Sequence, residues 1–243
     1  MRKFYFLAVA AIMALMVSCD NENQTTETTA QTTDEKPARE QVSPEVQTLS
    51  LGHNLAVYGY KNESAEALVE AASILATVYT NVLEATVIVK DKNNQPIESE
   101  YVEDGHSFAP ADLIQAAKRI AGADEFLLTM IARVEQQIVA AQAAARRGSV
   151  VGVRTLEKTI GAGNYNEYEI EFEGGQFAEI GVEGDGSTDL DLYICDEDMN
   201  LLAEDVDYGD HCYCNWVPAN TGKYVIRIYN RGDKKNSYYL HIN

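Results

Sequence analysis

The chain has 243 residues, enough for about two domains, and 46 % of them are hydrophobic, which excludes a wholly disordered protein. Its 38 acidic residues outnumber 19 Lys and Arg residues, and the formal net charge is −19. Because nucleic-acid phosphates must be matched by clustered Lys and Arg, this balance argues against a nucleic-acid partner. The acidity is greatest in residues 151–243, where 18 acids stand against 7 bases.

The first 19 residues predict an export signal. A basic start precedes an apolar run over 4–17, which is shorter than the roughly 20 residues that cross a bilayer. Met16–Cys19 resembles a bacterial lipobox, and the resemblance implies cleavage before Cys19 and acylation of that residue. Residues 1–19 are therefore interpreted as a lipoprotein signal peptide, and acyl chains are expected to hold the mature protein on the extracytoplasmic side of a bacterial envelope membrane. An ordinary signal cut near Ser18 is the alternative.

Residues 20–50 are rich in Thr, Glu, Gln and Asn and include the low-complexity run Thr25–Thr33. Such a segment buries too little apolar surface to offset the entropy of ordering it, so a disordered linker is predicted. As a flexible coil it spans about 30 Å, which clears the lipid head groups. A functional spacer and a leader without a function would show the same polymer behaviour, so the sequence does not distinguish these two interpretations.

Residues 51–148 predict a small helical domain of about three helices. The first helix starts after Ser64, where apolar residues recur at spacings of three and four. Its end is ambiguous, because Thr86–Val89 is β-branched and equally suits a short strand. The apolar positions are Leu68, Ala72, Leu75, Tyr79 and Val82.

The second and third predicted helices have clearer ends. Pro110 suits the first turn of a helix that stops at Gly122, and Asp124 is placed to cap a helix that runs to Arg147. Both have an apolar stripe. The stripes predict an intramolecular core, with a dimerising face as the alternative.

After Gly148 the apolar period changes to two. Apolar residues alternate with glutamates over 167–173 and 178–183, and further alternating segments follow between glycine-containing turns. Short strands at such close intervals predict an antiparallel sandwich over residues 149–243. The inward positions are Tyr168, Ile170, Phe172, Ala178, Ile180, Val182, Leu190, Leu192, Ile194, Cys212, Cys214, Trp216, Tyr224, Ile226, Ile228, Tyr238, Leu240 and Ile242.

Residues 152–243 resemble the bacterial pre-peptidase C-terminal domain. The residues that carry the resemblance are Asp189–Tyr193, Trp216, Pro218, Thr221, Gly222, Tyr224, Tyr238 and Leu240. It implies a jelly-roll-like sandwich in an exported protein and no catalytic activity, since in this family the module accompanies catalysts. The upstream helices resemble those of uncharacterised exported bacterial proteins. The expected fold class is therefore α+β and multidomain, with a small α-helical domain followed by an all-β antiparallel jelly-roll-like sandwich.

Aspartates crowd the predicted loops of the sandwich. Ca²⁺ takes six to eight oxygen ligands from flexible loops, and neighbouring carboxylates repel unless a cation or water screens them. The spacing matches no EF-hand loop, so no cofactor is certain, and a solvated set of acidic loops is the alternative to a Ca²⁺ site. The candidate ligands are Asp189, Asp191, Asp196, Asp198, Asp205, Asp207 and Asp210.

Three cysteines of the sandwich are disulfide candidates, because an exported chain meets oxidising conditions. Cys212 and Cys214 point to the same side of one predicted strand, so a bond between them would strain the backbone. A bond from Cys195 to either of them is favoured and leaves one thiol free.

Five aromatic residues fall on the predicted outer faces of the sandwich. Aromatic rings at such positions stack on sugars or pack on a protein partner, and contact with the helical domain is the alternative. They are Phe177, Tyr193, Tyr213, Tyr229 and Tyr239.

Motifs for catalysis are missing from the sequence. It contains neither G-x-S-x-G nor H-E-x-x-H, and His211 and Cys212 are adjacent, so they face opposite sides of a strand. The sequence therefore favours a non-enzymatic extracytoplasmic lipoprotein that acts as a binding or accessory module for protein or glycan. A structural envelope protein, of undetermined oligomeric state, and a Ca²⁺-dependent accessory of a hydrolase remain as alternatives.

Overall fold

The computed structural model of the protein describes residues 42–98, 106–148 and 152–243. The predicted signal peptide, Cys19 and most of the predicted linker lie outside the described residues. From Arg39 onward the chain forms a single structural unit. Among the helices in the described ranges, none has both the length and the apolar character needed to cross a membrane.

The described residues contain four helices, where about three were predicted. Ser64 and Asp124 cap the second and fourth helices, as predicted: the Ser64 hydroxyl accepts the Ala67 amide, and Asp124 accepts the amides of Phe126 and Leu127. The helices are α1 (Pro44–Lys61), α2 (Ala65–Leu75), α3 (Pro110–Ala121) and α4 (Glu125–Gly148).

Helix α1 corrects the prediction that residues 20–50 are a disordered linker, because it begins at Pro44. This helix is difficult to predict because it contains two glycines, and glycine ordinarily weakens a helix. Both allow α2 to pack closely: a Cβ on Gly52 would lie 2.6 Å from Leu75, and one on Gly59 would lie 2.7 Å from Leu68. The glycines therefore serve a tertiary contact that no local pattern reveals.

The helix predicted from Ser64 to Val82 is too long. Helix α2 ends at Leu75, and the chain then forms two short strands, β1 (Thr80–Val82) and β2 (Val87–Lys90). β-branched residues lose side-chain freedom in a helix, which favours the strand that the sequence left open at Thr86–Val89. In contrast, α3 begins at Pro110 and ends before Gly122 as predicted, with Gly122 at φ 57°.

The strands form two five-stranded sheets that pack face to face, which confirms the α+β class with an antiparallel sandwich. The first sheet has the order β1-β3-β10-β5-β8 and the second β2-β4-β9-β6-β7, and every pairing is antiparallel except β1 with β3. Strands β1 and β2 thus add an edge to each sheet. The others are β3 (Val153–Ile160), β4 (Tyr165–Phe172), β5 (Ala178–Glu183), β6 (Leu190–Cys195), β7 (Leu201–Asp205), β8 (His211–Trp216), β9 (Gly222–Asn230) and β10 (Asn236–Ile242).

The sandwich core lies between the two sheets and contains the predicted inward residues. Ile180 and Leu240 of the first sheet and Ile194 and Ile226 of the second are fully buried there. The three tyrosines predicted to point inward, Tyr168, Tyr224 and Tyr238, also belong to it. Buried hydroxyls need partners, and those of Tyr168 and Tyr238 bond to each other.

The helices cover the outer face of the first sheet. Tyr239 of β10 contacts His53 of α1 and Phe108, with ring centroids 4.0 Å and 5.8 Å away. The protein therefore has three layers, which are the helices, the first sheet and the second sheet. The outer face of the second sheet is on the side away from the helical layer.

Candidate binding face of the second sheet

Strand register places two rows of side chains across the outer face of the second sheet. One row runs Tyr165, Tyr229, Asp191 across β4, β9 and β6, and the next runs Glu167, Arg227, Tyr193 across the same strands. Their neighbours along each strand point into the core, so two-residue alternation turns these six outward. Lys90 of β2 pairs with Tyr165 and continues the first row, and we call these seven residues the tyrosine face.

Two tyrosines of this face stack on each other. The rings of Tyr165 and Tyr229 are 4.2 Å apart at their centroids with 16° between their planes. The Arg227 guanidinium lies 4.7 Å from the Tyr165 centroid, within range of a cation–π contact. Burial raises the pKa of Tyr165, so its hydroxyl stays a hydrogen-bond donor at neutral pH. The stack is thus a preformed aromatic surface.

Glu167 holds the cationic side chains of the face in place. Its carboxylate is 2.6 Å from Lys90 Nζ and 3.2 Å from Arg227 Nε, and the residue is buried. Arg227 also donates from Nη2 to Asn94 Oδ1. With two anchors, Arg227 loses little further freedom when a ligand binds.

Asp191 carries an unused acceptor. The residue is 1 % exposed, and its Oδ2 accepts the Tyr193 hydroxyl at 2.8 Å and lies 3.5 Å from Arg231 Nη1. Its Oδ1 has no hydrogen-bond partner. Burial raises the pKa of Asp191, because water no longer solvates the charged form. A buried carboxylate with one unpartnered oxygen is costly, and a ligand that supplies a hydrogen-bond donor would reduce that cost.

Two of the predicted aspartates, Asp196 and Asp205, close turns with their carboxylates. Asp196 Oδ1 accepts the amides of Asp198 and Asn200, and Asp205 Oδ1 accepts the Asp207 amide. Hydrogen bonds from Asn200 hold the pKa of Asp196 below its usual value. Within the described ranges, no three or more His, Cys, Asp or Glu residues come together in a way that could hold a metal. Calcium binding by the seven aspartates therefore stays a prediction from the sequence.

Two further predicted aspartates lie closer to the sheets. Asp189 Oδ1 accepts the Gly209 amide at 2.8 Å, and Asp210 Oδ2 accepts the Gly186 amide at 2.6 Å and the Asn236 side chain at 3.0 Å. Fixed backbone and amide donors thus occupy these carboxylates.

The predicted disulfide from Cys195 to Cys212 or Cys214 is wrong in this structure, where all three thiols are free. Cys212 and Cys214 do share a side, as predicted, and belong to the core between the sheets. Cys195 follows the core residue Ile194 and lies on the other side of the second sheet, where Arg227 influences it. Because opposite faces of one sheet cannot be bridged, the pairing fails.

Three of the five predicted outward aromatics are not on the tyrosine face. Tyr239 packs against the helical layer, which is the intramolecular alternative left open by the sequence. Tyr213 donates to Glu179 Oε2 at 2.8 Å on the outer face of the first sheet. Phe177 lines a cavity near the start of α1. Only Tyr193 and Tyr229 of the predicted set lie together.

Sequence reasoning missed Tyr165 and the cationic members of the face. Tyr165 lies two residues before Glu167, so extending the alternation of β4 backward would have placed it outward. Arg227 and Lys90 reach the site through strand pairing between distant segments. No local signal identifies those pairings.

No protein-family profile and no curated protein matches the sequence. Among solved structures, the chain is similar to the pre-peptidase C-terminal domain of a collagenase from Bacillus anthracis, at 21 % identity over 37 % of this chain and 87 % of that one, with a TM-score of 0.33. It is also similar to a periplasmic inhibitor of g-type lysozyme from Aeromonas hydrophila (14 %, 37 % and 84 %, TM-score 0.30). A third is a carbohydrate binding module of a Cellvibrio mixtus lichenase (12 %, 37 % and 86 %, TM-score 0.26).

Proposed function

We propose that the protein is a non-catalytic, extracytoplasmic lipoprotein that binds a glycan through the tyrosine face. The observation that carries the proposal is the stacked pair Tyr165 and Tyr229, which shares the outer face of the second sheet with Arg227 and with the Asp191 carboxylate, whose Oδ1 has no partner. Extracytoplasmic location and the lipid anchor rest on the export signal and on Cys19 in the sequence.

The chemistry of a sugar ring suits these groups. A pyranose has apolar C–H faces that pack on aromatic rings and hydroxyl edges that need hydrogen-bond acceptors and donors. Tyr229 supplies aromatic surface, the Arg227 guanidinium supplies several donors, and the Asp191 carboxylate supplies a negative charge beneath them. Charged hydrogen bonds are stronger than neutral ones, which favours ligand hydroxyls at the two charged side chains.

Two observations support a role without catalysis. Cys212 and Cys214 are buried in the core, and burial raises the pKa of the Cys214 thiol to about 12, so neither thiol is an accessible nucleophile at neutral pH. His211 pairs with Glu183 across the outer face of the first sheet at 2.6 Å, away from both thiols. A His–Cys catalytic pair is therefore not formed by these residues.

The test is binding to a panel of immobilised polysaccharides, followed by titration calorimetry with a soluble fragment of each one that binds. The variants are Tyr229→Ala, which removes the stacking ring, and Asp191→Asn, which removes the charge of the acceptor. Each is expected to weaken binding about tenfold or more. Tyr208→Ala is the matched control, because Tyr208 is 96 % exposed and lies off the face. Equal affinity of all three variants would contradict the proposal.

A further inference from the structure

A second buried carboxylate lies at the opposite side of the sandwich, under the start of α1. Glu179 is on the outer face of the first sheet and its exposed fraction is 0 %. Its Oε2 accepts two hydrogen bonds, from the Ser43 amide at 3.1 Å and from the Tyr213 hydroxyl at 2.8 Å. Its Oε1 has no partner.

No Lys or Arg of the described residues forms an ion pair with Glu179. The two hydrogen bonds solvate one oxygen only, and both donors are neutral. A charge that is buried without a counter-charge is costly, and a nearby cation reduces that cost. The geometry provides room for such a cation.

Glu179 lines a cavity of about 580 Å³ between α1, the end of α2 and the first sheet. Glu45 adds a second carboxylate, while Val78, Tyr79, Val153 and Phe177 supply apolar and aromatic wall. Among the described lining residues there is no Lys, Arg or His. The cavity therefore combines acidic groups with an apolar surface.

Two threonine hydroxyls of the cavity wall add hydrogen-bond acceptors to the carboxylates. Thr48 donates its hydroxyl proton to the Pro44 carbonyl at 2.7 Å, and Thr77 donates to the Ile74 carbonyl at 2.6 Å. With their protons engaged, these hydroxyls offer only lone pairs to a ligand. Carboxylates and such hydroxyls together accept hydrogen bonds and donate none.

We propose that this cavity binds an organic molecule with a primary ammonium group, which the negative charge of Glu179 and Glu45 attracts. An ammonium has a positive charge and three donors, which match the two carboxylates and the two threonine hydroxyls whose protons are engaged. An inorganic ion would leave most of the volume empty, whereas an alkyl chain packs against Val78 and Val153. Aromatic rings at Tyr79 and Phe177 add a cation–π attraction.

The experiment uses n-butylammonium as the probe, with 1-butanol and butyrate as the neutral and anionic molecules of matched size. Calorimetric titration of the mature protein near pH 7 is expected to show binding of butylammonium, with both matched molecules at least about tenfold weaker. Thermal unfolding gives the same ranking, because a ligand that binds only the folded state raises the Tm.

Two variants separate the carboxylate from the cavity. Glu179→Gln keeps the size and hydrogen-bonding oxygen of the side chain but removes its charge, and butylammonium affinity is expected to fall about tenfold or more. Ala145→Leu leaves Glu179 intact and narrows the cavity from α4, so it is expected to weaken binding. If Glu179→Gln fails to fold, Ala145→Leu and the comparison with butanol decide the question.

The matched control is Glu173→Gln, an exposed glutamate outside the cavity lining, which is expected to bind butylammonium as the unaltered protein does. Tyr229→Ala is likewise expected to retain amine binding, so the outcome is independent of the tyrosine face. The proposal is overturned if butylammonium does not bind, if butanol binds equally well, or if Glu179→Gln binds with unchanged affinity.

Discussion

The contact between the helices and the first sheet is expected to weaken in acid. His241 of β10 is 0 % exposed, and neither of its ring nitrogens has a hydrogen-bond partner. It fits because Gly181 lies beside it: a Cβ there would be 2.0 Å from His241 Nε2. His53 of α1 is buried 6.1 Å away, ring centroid to ring centroid.

Burial lowers the pKa of both imidazoles, to about 4 for His241 from an ordinary 6.5, and for His53 the neighbouring His241 lowers it further. The unfolded chain therefore binds protons below pH 6.5 that the folded protein refuses. The stability that these neutral histidines contribute is fully present above pH 6.5 and is lost as the pH falls toward 4. For His241 the pKa difference corresponds to about 3 kcal/mol of unfolding free energy.

Carboxylates near the histidines reduce the loss of stability in acid. Glu179 and Glu183 of β5 favour protonated His241 and limit the shift of its pKa. On the same sheet, a hydrogen bond from Glu183 raises the pKa of His211, so this pair adds stability that is present below pH 6.5 and is lost as the pH rises through the raised value. His211 is half exposed, which makes its contribution the smaller one.

The assay is urea unfolding, followed by circular dichroism, at pH 7.5 and pH 5. The protein is expected to lose unfolding free energy at pH 5, and His241→Phe, which keeps a ring but cannot titrate, is expected to reduce that loss. His106→Phe is the control for the same replacement at an exposed histidine. An identical pH dependence in His241→Phe and the unaltered protein would refute the reasoning.

Three further predictions concern packing, thiols and the anchor. Gly52→Ala is expected to lower the unfolding free energy by about 1–3 kcal/mol in denaturant titration, because the added Cβ would clash with Leu75. Gly222→Ala is the control, since Gly222 has open space around it and its replacement should match the unaltered protein. An equal loss in both variants would contradict the close packing of α1 on α2. Mass spectrometry after alkylation in denaturant without reductant is expected to find Cys195 modified in full, and a disulfide-linked peptide containing it would show the sheet assignment to be wrong. Cys19→Ala is expected to release the protein from the membrane fraction with loss of lipid mass, whereas an unchanged intact mass would reject acylation at this position.

Local signals explain which elements the sequence predicts correctly. Helix α3 has a proline at its start and a glycine after its end, so a single residue marks each boundary in the sequence. Strands β4, β5, β6, β8, β9 and β10 show two-residue alternation of apolar residues in the sequence, whereas β7 does not. Helix α1 is harder to predict, because Gly52 and Gly59 lie inside it and allow α2 to pack closely instead of marking a helix end.

The candidate site depends on pairings that alternation cannot supply. Tyr193 and Tyr229 were placed outward correctly, but only strand order shows that both belong to the second sheet. Tyr239 was also placed outward from the sandwich, and the helices then cover it. Cys195 lies across the second sheet from Cys212 for the same reason. Which layer covers which face is decided by tertiary packing, which a periodic pattern does not encode.

Nuclear magnetic resonance mapping of a bound polysaccharide fragment tests the central claim most directly. Backbone and side-chain signals would be followed during titration with a fragment that the binding panel has identified. We expect the largest shifts at Tyr165, Tyr229 and Asp191, with the signals of α1–α4 unchanged. Shifts confined to the helices or to the loop around Tyr208, with the tyrosine face unaffected, would contradict the account.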